Sequence, residues 1–498
     1  MASSNSWENS GGFPVQQSPT RGFFLVAAAL LADGHTVLVT GGTRTMGGGY
    51  IGTRDVWLYT GSSPMSWLPS TMVHARYGHT ATTLADGRVL IAGSQAYDSS
   101  ATSAAKTAEL FDPATRASAA TGNMMEARGW HTATYLPSTG QILIVGGEDP
   151  AQVNNGTSVP KKTAEIYDIH TGTFRYTKGT ALTYGRSWHT ATLLKDGRVL
   201  IVGGTGTAPA TGPVTAAEIY NPATEAFSPA GAMTIGRRRH AATLLNDGRV
   251  LVAGGYPFSP AGSPCEEVYN PATGSFSHVP AIQKTVYGMT LNTLPDGKAI
   301  AVGGAVDPAS FTNMTIDSQY WIFDPQANPP SFTPGGNCLE SVAFHTATAL
   351  ASGCVYVIGG HGVLSSIPAS GMLYWPNLVT LALRFQGTGS GSVSILPGGT
   401  IYQNNADVQV ALGLQVTLTA QPSTPWMTIG WVQVPGTKIS PAHWVKAMFR
   451  HAPTFDGWGK LAPFNTANPL VVLMDANHSA SVNFTDHVTT TNFPFPHF

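Results

Sequence analysis

The sequence predicts an all-β chain in which a seven-bladed β-propeller is followed by a small C-terminal β domain. Gly (56) and Pro (35) are abundant among 498 residues and only 11 % of residues are charged, the composition of a turn-rich β protein. A phrase of the form RYGHTATTLADGRVLIAGS, beginning at Arg76, recurs along the first three quarters of the chain. Each copy ends in a Gly pair whose second residue falls at Gly42, Ser94, Gly147, Gly204, Gly255, Gly304 and Gly360, in steps of 52, 53, 57, 51, 49 and 56 residues. That period suits one four-stranded blade per repeat.

Within each repeat the elements follow in a fixed order. The first strand alternates small and apolar residues (His79, Ala81, Leu84) and stops at Asp86-Gly87, a two-residue hairpin signal. The second strand, Val89 to Ala92, is continuously apolar, as a strand covered on both faces should be. The Gly pair then lets the chain turn where a Cβ would clash. After a variable loop comes a third strand, seen in AELFDPAT ending at Thr115, AEIYDIHTGTF ending at Phe174, AEIYNPATEAF ending at Phe227 and EEVYNPATGSF ending at Phe276. Asp-Pro or Asn-Pro makes the turn into a fourth strand that opens on an aromatic residue. The seventh repeat has a third strand at Met372 to Trp375 and no fourth after it. Ser6-Trp7 reads like Ser66-Trp67, so the N-terminal strand is expected to complete the last blade and close the ring. The apolar run from Gly22 to Ala32 is too short to span a membrane and belongs to the first repeat.

The hydrophobic run, Gly pair, Glu-x-Tyr-Asp-Pro and distal aromatic together resemble the kelch repeat family over residues 1–376. Residues 377–486 resemble a divergent internalin-B-type B-repeat, through Gly-x-Gly-x-Gly-x-Val, Val416-Thr417-Leu418-Thr419-Ala420, Gly430-Trp431 and Met474-Asp475-Ala476. An aromatic and His-rich insertion at 438–467 departs from that pattern, and a Pro-rich aromatic tail occupies 487–498. Trp444, Arg450, His451 and Trp458 of the insertion are expected to contact either a partner or the propeller.

The kelch resemblance implies a mouth where the segments leading into the inner strands converge. Those segments carry Arg76, Tyr77, His79, Arg128, Trp130, His131, Arg186, Trp188, His189, Arg237, Arg239, His240 and His345, with Phe344 beside the last. Two readings stand side by side. One is a basic, aromatic-rimmed funnel that binds a glycan or protein partner. The other is that Arg and His recur because every blade needs them, with Glu109, Glu165, Glu218 and Glu267 as partners of the Arg.

A formal net charge of −1 offers no global field for nucleic acid, and no membrane insertion is expected. Cys265, Cys338 and Cys354 form no paired spacing, so neither a disulfide scaffold nor a thiolate metal site is expected. Kelch propellers include radical copper oxidases, whose site needs a Cys–Tyr cross-link, a second Tyr and two His ligands. No cysteine here sits in an inner-strand context, so that chemistry is rejected, and neither metal nor other cofactor is expected. The expected function is a non-catalytic recognition protein of a bacterial surface or extracellular system. An enzyme of mutarotase or lyase type, and a structural component of a larger assembly, are the alternatives.

Overall fold

In the computed structural model, residues 5–376 are described apart from 13–24, 47–48, 61–65, 68–70, 96–103, 155–156, 207–211, 257–265, 281, 283–285, 307–314 and 361–369, and beyond 376 only the backbone of strands between 378 and 484. Contacts divide the chain into two compact units, Ser6–Leu350 with Cys354–Tyr374, and Trp375–Phe498 with Met1–Asn5 and Ala351–Gly353.

The larger unit contains seven four-stranded antiparallel sheets. Blade 2 shows the pattern: Thr80–Thr83 innermost, then Val89–Ala92, Ala108–Asp112 and Ala117–Ala120. The inner strands of blades 1 to 7 are Ala27–Leu30, Thr80–Thr83, Thr132–Leu136, Thr190–Leu193, Ala241–Leu244, Thr290–Thr293 and Thr346–Ala349. Each lies against the inner strand of the next blade, and the last lies against the first, so the sheets form a closed ring. Within the Gly22 to Ala32 run, Ala27–Leu30 is the inner strand of blade 1, while residues 22–24 lie outside the described residues.

The core sits between blades. Every second strand is apolar because both of its faces are covered; Val89–Ala92, Val199–Val202, Val250–Ala253 and Val355–Ile358 are buried along their whole length. Leu38 and Val56 of blade 1 pack with Val89 and Phe111 of blade 2, and Leu143 and Ile166 of blade 3 with Val199 and Ile201 of blade 4. Burying each such side chain stabilises by about 1.5–3 kcal/mol. Further out, the third-strand tyrosine meets the fourth-strand aromatic: Tyr167 with Phe174, Tyr220 with Phe227 and Tyr269 with Phe276, at 4.7, 5.1 and 4.9 Å between ring centroids.

Blade 7 is completed by the N-terminus, in the strand order Ser6–Gly12, Ser370–Trp375, Val355–Ile358, Thr346–Ala349. The Trp7 ring lies 5.1 Å from Tyr374 and so fills the place of the fourth-strand aromatic. It also reaches Tyr320 of blade 6, at 5.5 Å.

In the second unit, Leu378–Gly387 pairs antiparallel with Ala406–Ala411 and parallel with His478–Phe484. A four-stranded sheet runs Thr400–Tyr402, Gly391–Leu396, Gln415–Pro422, Leu470–Leu473. Part of the expected insertion is itself a strand, because His443–Phe449 pairs with Thr428–Val434. Trp444 lies on that strand, whereas Arg450, His451 and Trp458 fall outside the described residues.

Candidate functional site

Each repeat reads Arg-x-x-His just before its inner strand in blades 2 to 5: Arg76 to His79, Arg128 to His131, Arg186 to His189 and Arg237 to His240. The two outer positions and the two between them have different fates.

The arginines are fully or almost fully buried and pair inside their own blade. Arg76 meets Glu109 at 2.8 Å, Arg128 meets Glu165 at 2.8 Å, Arg186 meets Glu218 at 2.6 Å and Arg237 meets Glu267 at 3.1 Å. Each also donates to the carbonyl of the first glycine of its pair, Gly93, Gly146, Gly203 or Gly254. Burial pulls the Arg76 and Arg186 guanidiniums below their ordinary range, and the facing carboxylates oppose that pull. The backbone carbonyl of each arginine accepts from the second residue of the preceding blade's Gly pair, as in Gly147 N to Arg186 O at 2.7 Å.

The histidines stitch neighbouring blades. His131, His189, His240 and His345 Nε2 lie 3.0, 3.0, 3.0 and 2.8 Å from the Thr80, Thr132, Thr190 and Thr290 hydroxyls of the blade before. Blade 1 has Ala27 at the threonine position, and its cross-strand partner Thr40 supplies the hydroxyl to His79 instead. Between blades 5 and 6 both partners are replaced together: Ala241 and Met289 pack in one apolar cluster, leaving no polar atom stranded. Burial holds His79, His131, His240 and His345 down to about 3 and His189 well below its ordinary value, so all five are neutral at pH 7. Gly41, Gly93, Gly146 and Gly203, the first glycines of their pairs, make room for the rings of His79, His131, His189 and His240; a Cβ on Gly93 would stand 2.5 Å from His131 Cε1.

The residues immediately before the histidines form a second ring. Leu25, Gly78, Trp130, Trp188, Arg239, Gly288 and Phe344 occupy equivalent positions, one per blade, and all have left-handed φ, at 62, 60, 54, 58, 55, 67 and 57°. Trp130, Trp188, Arg239, Gly288 and Phe344 each donate their backbone N–H to the carbonyl of the equivalent residue one blade earlier, at 2.8–3.2 Å. This conformation suits Gly78 and Gly288 and costs a side-chain-bearing residue about 1–2 kcal/mol. The large side chains stack in sequence around the ring. Trp130 lies over Gly78, where a Cβ would meet its ring at 2.9 Å. Trp188 stacks on Trp130 at 3.6 Å and 22°, and the Arg239 guanidinium sits 4.0 Å from the Trp188 ring and 5.4 Å from Phe344. Tyr77 and Tyr287, both buried, meet Trp130 and Phe344 edge-on at 6.1 and 5.5 Å.

The expected binding residues therefore divide. Arg76, Arg128, Arg186, Arg237, His79, His131, His189, His240 and His345 are engaged within the propeller, which is the repeat-structure reading of them. Trp130, Trp188 and Arg239 are partly exposed, with Tyr77 packed behind Trp130. Two further residues join them. Arg238 lies over the Tyr256 ring at 4.9 Å and donates to the Thr205 hydroxyl at 3.3 Å. Glu148, which follows the third Gly pair, is only 5 % exposed, is bridged to Gly129, and its charge works against the downward pull on the Arg239 guanidinium. The repeats themselves carried a signal for this division: Arg and His are constant across blades, whereas the pair between them changes from Tyr-Gly to Gly-Trp, Ser-Trp and Arg-Arg.

No protein-family model and no curated protein matches the chain. Among solved structures it is similar to a novel fungal alcohol oxidase with catalytic diversity among the AA5 family, in complex with copper. The TM-score is 0.58 at 17 % identity, over 84 % of this chain and 97 % of that one. The likeness shows a shared all-β, propeller-type fold. It also overturns the expectation of a non-catalytic recognition protein, because the solved protein sharing this fold is an oxidase.

Among the described residues, no group of three or more His, Cys, Asp or Glu side chains is placed to hold a metal ion. The hub histidines are held one per blade interface against threonines. Cys338 is buried in the apolar cluster of blades 6 and 7, where burial pushes its thiol up to about 12, and Cys354 is buried as well. Cys265 falls outside the described residues. The described side chains do not fit a copper site.

Proposed function

We propose that the chain is an enzyme acting on a small hydroxylated substrate, an alcohol or a sugar, held against Trp130, Trp188, Arg239 and Phe344. The observation that carries this reading is the left-handed ring. Two of its seven positions are glycine, yet four others hold two tryptophans, an arginine and a phenylalanine at the same strained φ. Strained backbone held at bulky side chains recurs at binding and active sites, and here it is kept where two other blades use glycine. The stacked faces of Trp130 and Trp188 are already covered by their neighbours, so a substrate meets the exposed part of these rings, where guanidinium forks suit its oxygens. Glu148 is the buried carboxylate whose charge is felt at Arg239, and in this reading it takes or returns a hydroxyl proton. The similarity to an alcohol oxidase supports the same substrate class. Recurrence of the Gly pair, the Arg–Glu staple and the distal aromatic pair supports kelch-type blades, and the motifs of 377–486 support a B-repeat-like module.

The test is conversion of a panel of primary alcohols, aldoses and sugar acids by the full chain, followed by NMR. Turnover that falls at least tenfold in Glu148→Gln supports the reading. No conversion of any member, or turnover untouched by that change, overturns it.

A further inference from the structure

The residue that follows each Gly pair is Thr43, Gln95, Glu148, Thr205, Tyr256, Ala305 and His361, so blades 2 and 3 carry a carboxamide and a carboxylate at one repeat position. This position reaches forward to the next blade. Thr205 of blade 4 accepts from Arg238 of blade 5, and Gln95 of blade 2 lies against Gly129 of blade 3. A Cβ on Gly129 would stand 2.2 Å from Gln95 Oε1 and 2.8 Å from Gln95 Cβ. Gly129 has no left-handed φ to account for it, and the equivalent residues elsewhere are Tyr77, Ser187, Arg238, Tyr287 and Ala343. The missing side chain is therefore what admits Gln95. Gly129 and Glu148 are bridged by reciprocal backbone bonds, Gly129 N–H to Glu148 O at 2.8 Å and Glu148 N–H to Gly129 O at 2.9 Å. Residues opposed in this way send their Cβ atoms out of the same face, about 4.5–5.5 Å apart. The Gln95 carboxamide thus occupies the face from which the Glu148 side chain leaves, within that side chain's reach. Both residues are buried.

We propose that Gln95 is a positioning residue for Glu148, its carboxamide N–H donating to the carboxylate and fixing its direction. The inference rests on Glu148 being the group that takes or returns a hydroxyl proton. A carboxylate withdrawn from water costs free energy unless donors replace its hydration. A primary amide brings two donors and no charge, so it orients the carboxylate while lowering its basicity less than a cation in the same place would. Gln95 is itself fixed from two sides. Its backbone N–H donates to Tyr77 O at 2.8 Å, and its side chain is folded against Gly129.

The experiment is NMR of the full chain with its glutamine carboxamides selectively labelled, the Gln95 signals being identified by their loss in Gln95→Met, or in Gln95→Glu should the first variant not fold. Those signals should move in Glu148→Gln while the other glutamine carboxamides stay in place. On whichever member of the alcohol and sugar panel turns over, Gln95→Met should lower kcat at least ~10-fold at an unchanged KM, the effect of a misplaced proton-transfer group. In the Glu148→Gln background the same change should have no further effect, because Gln95 acts through the carboxylate. Gln95 signals that ignore Glu148→Gln, or a kcat loss of equal size in both backgrounds, would overturn the inference. Absence of any turnover with the signals still coupled would sink the enzyme reading and leave the Gln95–Glu148 pair standing. Turnover that depends on Glu148 but not on Gln95 would do the reverse.

Discussion

Arg186 shows how a residue type associated with binding becomes structure. Its guanidinium donates to Glu218, to the Gly203 carbonyl and to the Ala216 carbonyl, all within blade 4. Removing one member of such a buried pair strands the other charge and costs about 3–5 kcal/mol. The sequence displays the recurrence of Arg and His but not the direction of the side chains. Trp188, two positions on, takes the left-handed conformation that points it along the ring of equivalent residues, and no local sequence rule announces that for a tryptophan. Glycines offer a sharp check at this level. Gly203 and Gly197 both have positive φ, but a Cβ on Gly203 would stand 2.5 Å from the Arg237 carbonyl oxygen and 2.8 Å from His240 Cε1, whereas nothing lies within 4 Å of one on Gly197. Gly197→Ala is expected to cost about 1 kcal/mol, the conformational term alone. Gly203→Ala should cost at least about 2 kcal/mol more, read from urea midpoints, and equal losses would contradict the close-packing role of the Gly pair.

The closing strand was legible because the fourth-strand motif is local: Ser6-Trp7 repeats Ser66-Trp67, and Trp7 then packs on Tyr374 as Phe227 packs on Tyr220. The four strands of a blade were legible for the same reason, since alternation, the Asp-Gly turn and the Gly pair are each set by neighbours in sequence. The interfaces between blades were not, because His–Thr partners lie 50 to 57 residues apart in four of the five cases, and that pairing appears only once the blades are stacked. Deleting residues 1–12 removes the outer strand of blade 7 and uncovers Tyr320 and Tyr374. The truncated protein is expected to lose a cooperative unfolding transition of the full height and to associate through the opened edge. A monomer with an unchanged calorimetric transition would show that the ring does not depend on this closure.

For the propeller as a whole, the histidine stitches predict how it responds to acid. In the unfolded chain each imidazole titrates near 6.5, while in the fold four are held down to about 3 and His189 well below its ordinary value. The contribution is fully present above pH 6.5. Below that the unfolded chain takes up protons that the folded one refuses, so stability falls as pH drops from 6.5 towards about 3. Thermal midpoints should decline across that window, and His345→Gln, whose ring is depressed by burial alone, should flatten the decline. A flat profile for the intact protein would mean that these rings are not held neutral.

The most direct measurement returns one position of the axial ring to the residue its backbone prefers. Trp188→Gly relieves a left-handed tryptophan but removes the stack with Trp130 and the support of Arg239. If the ring is a working site, conversion of the alcohol and sugar panel should fall at least tenfold, while the urea midpoint shifts by no more than about 1 kcal/mol equivalent, because strain relief offsets the lost contacts. If the variant instead loses several kcal/mol of stability while each folded molecule turns over as before, the tryptophan stack is part of the propeller's packing, and the site lies elsewhere.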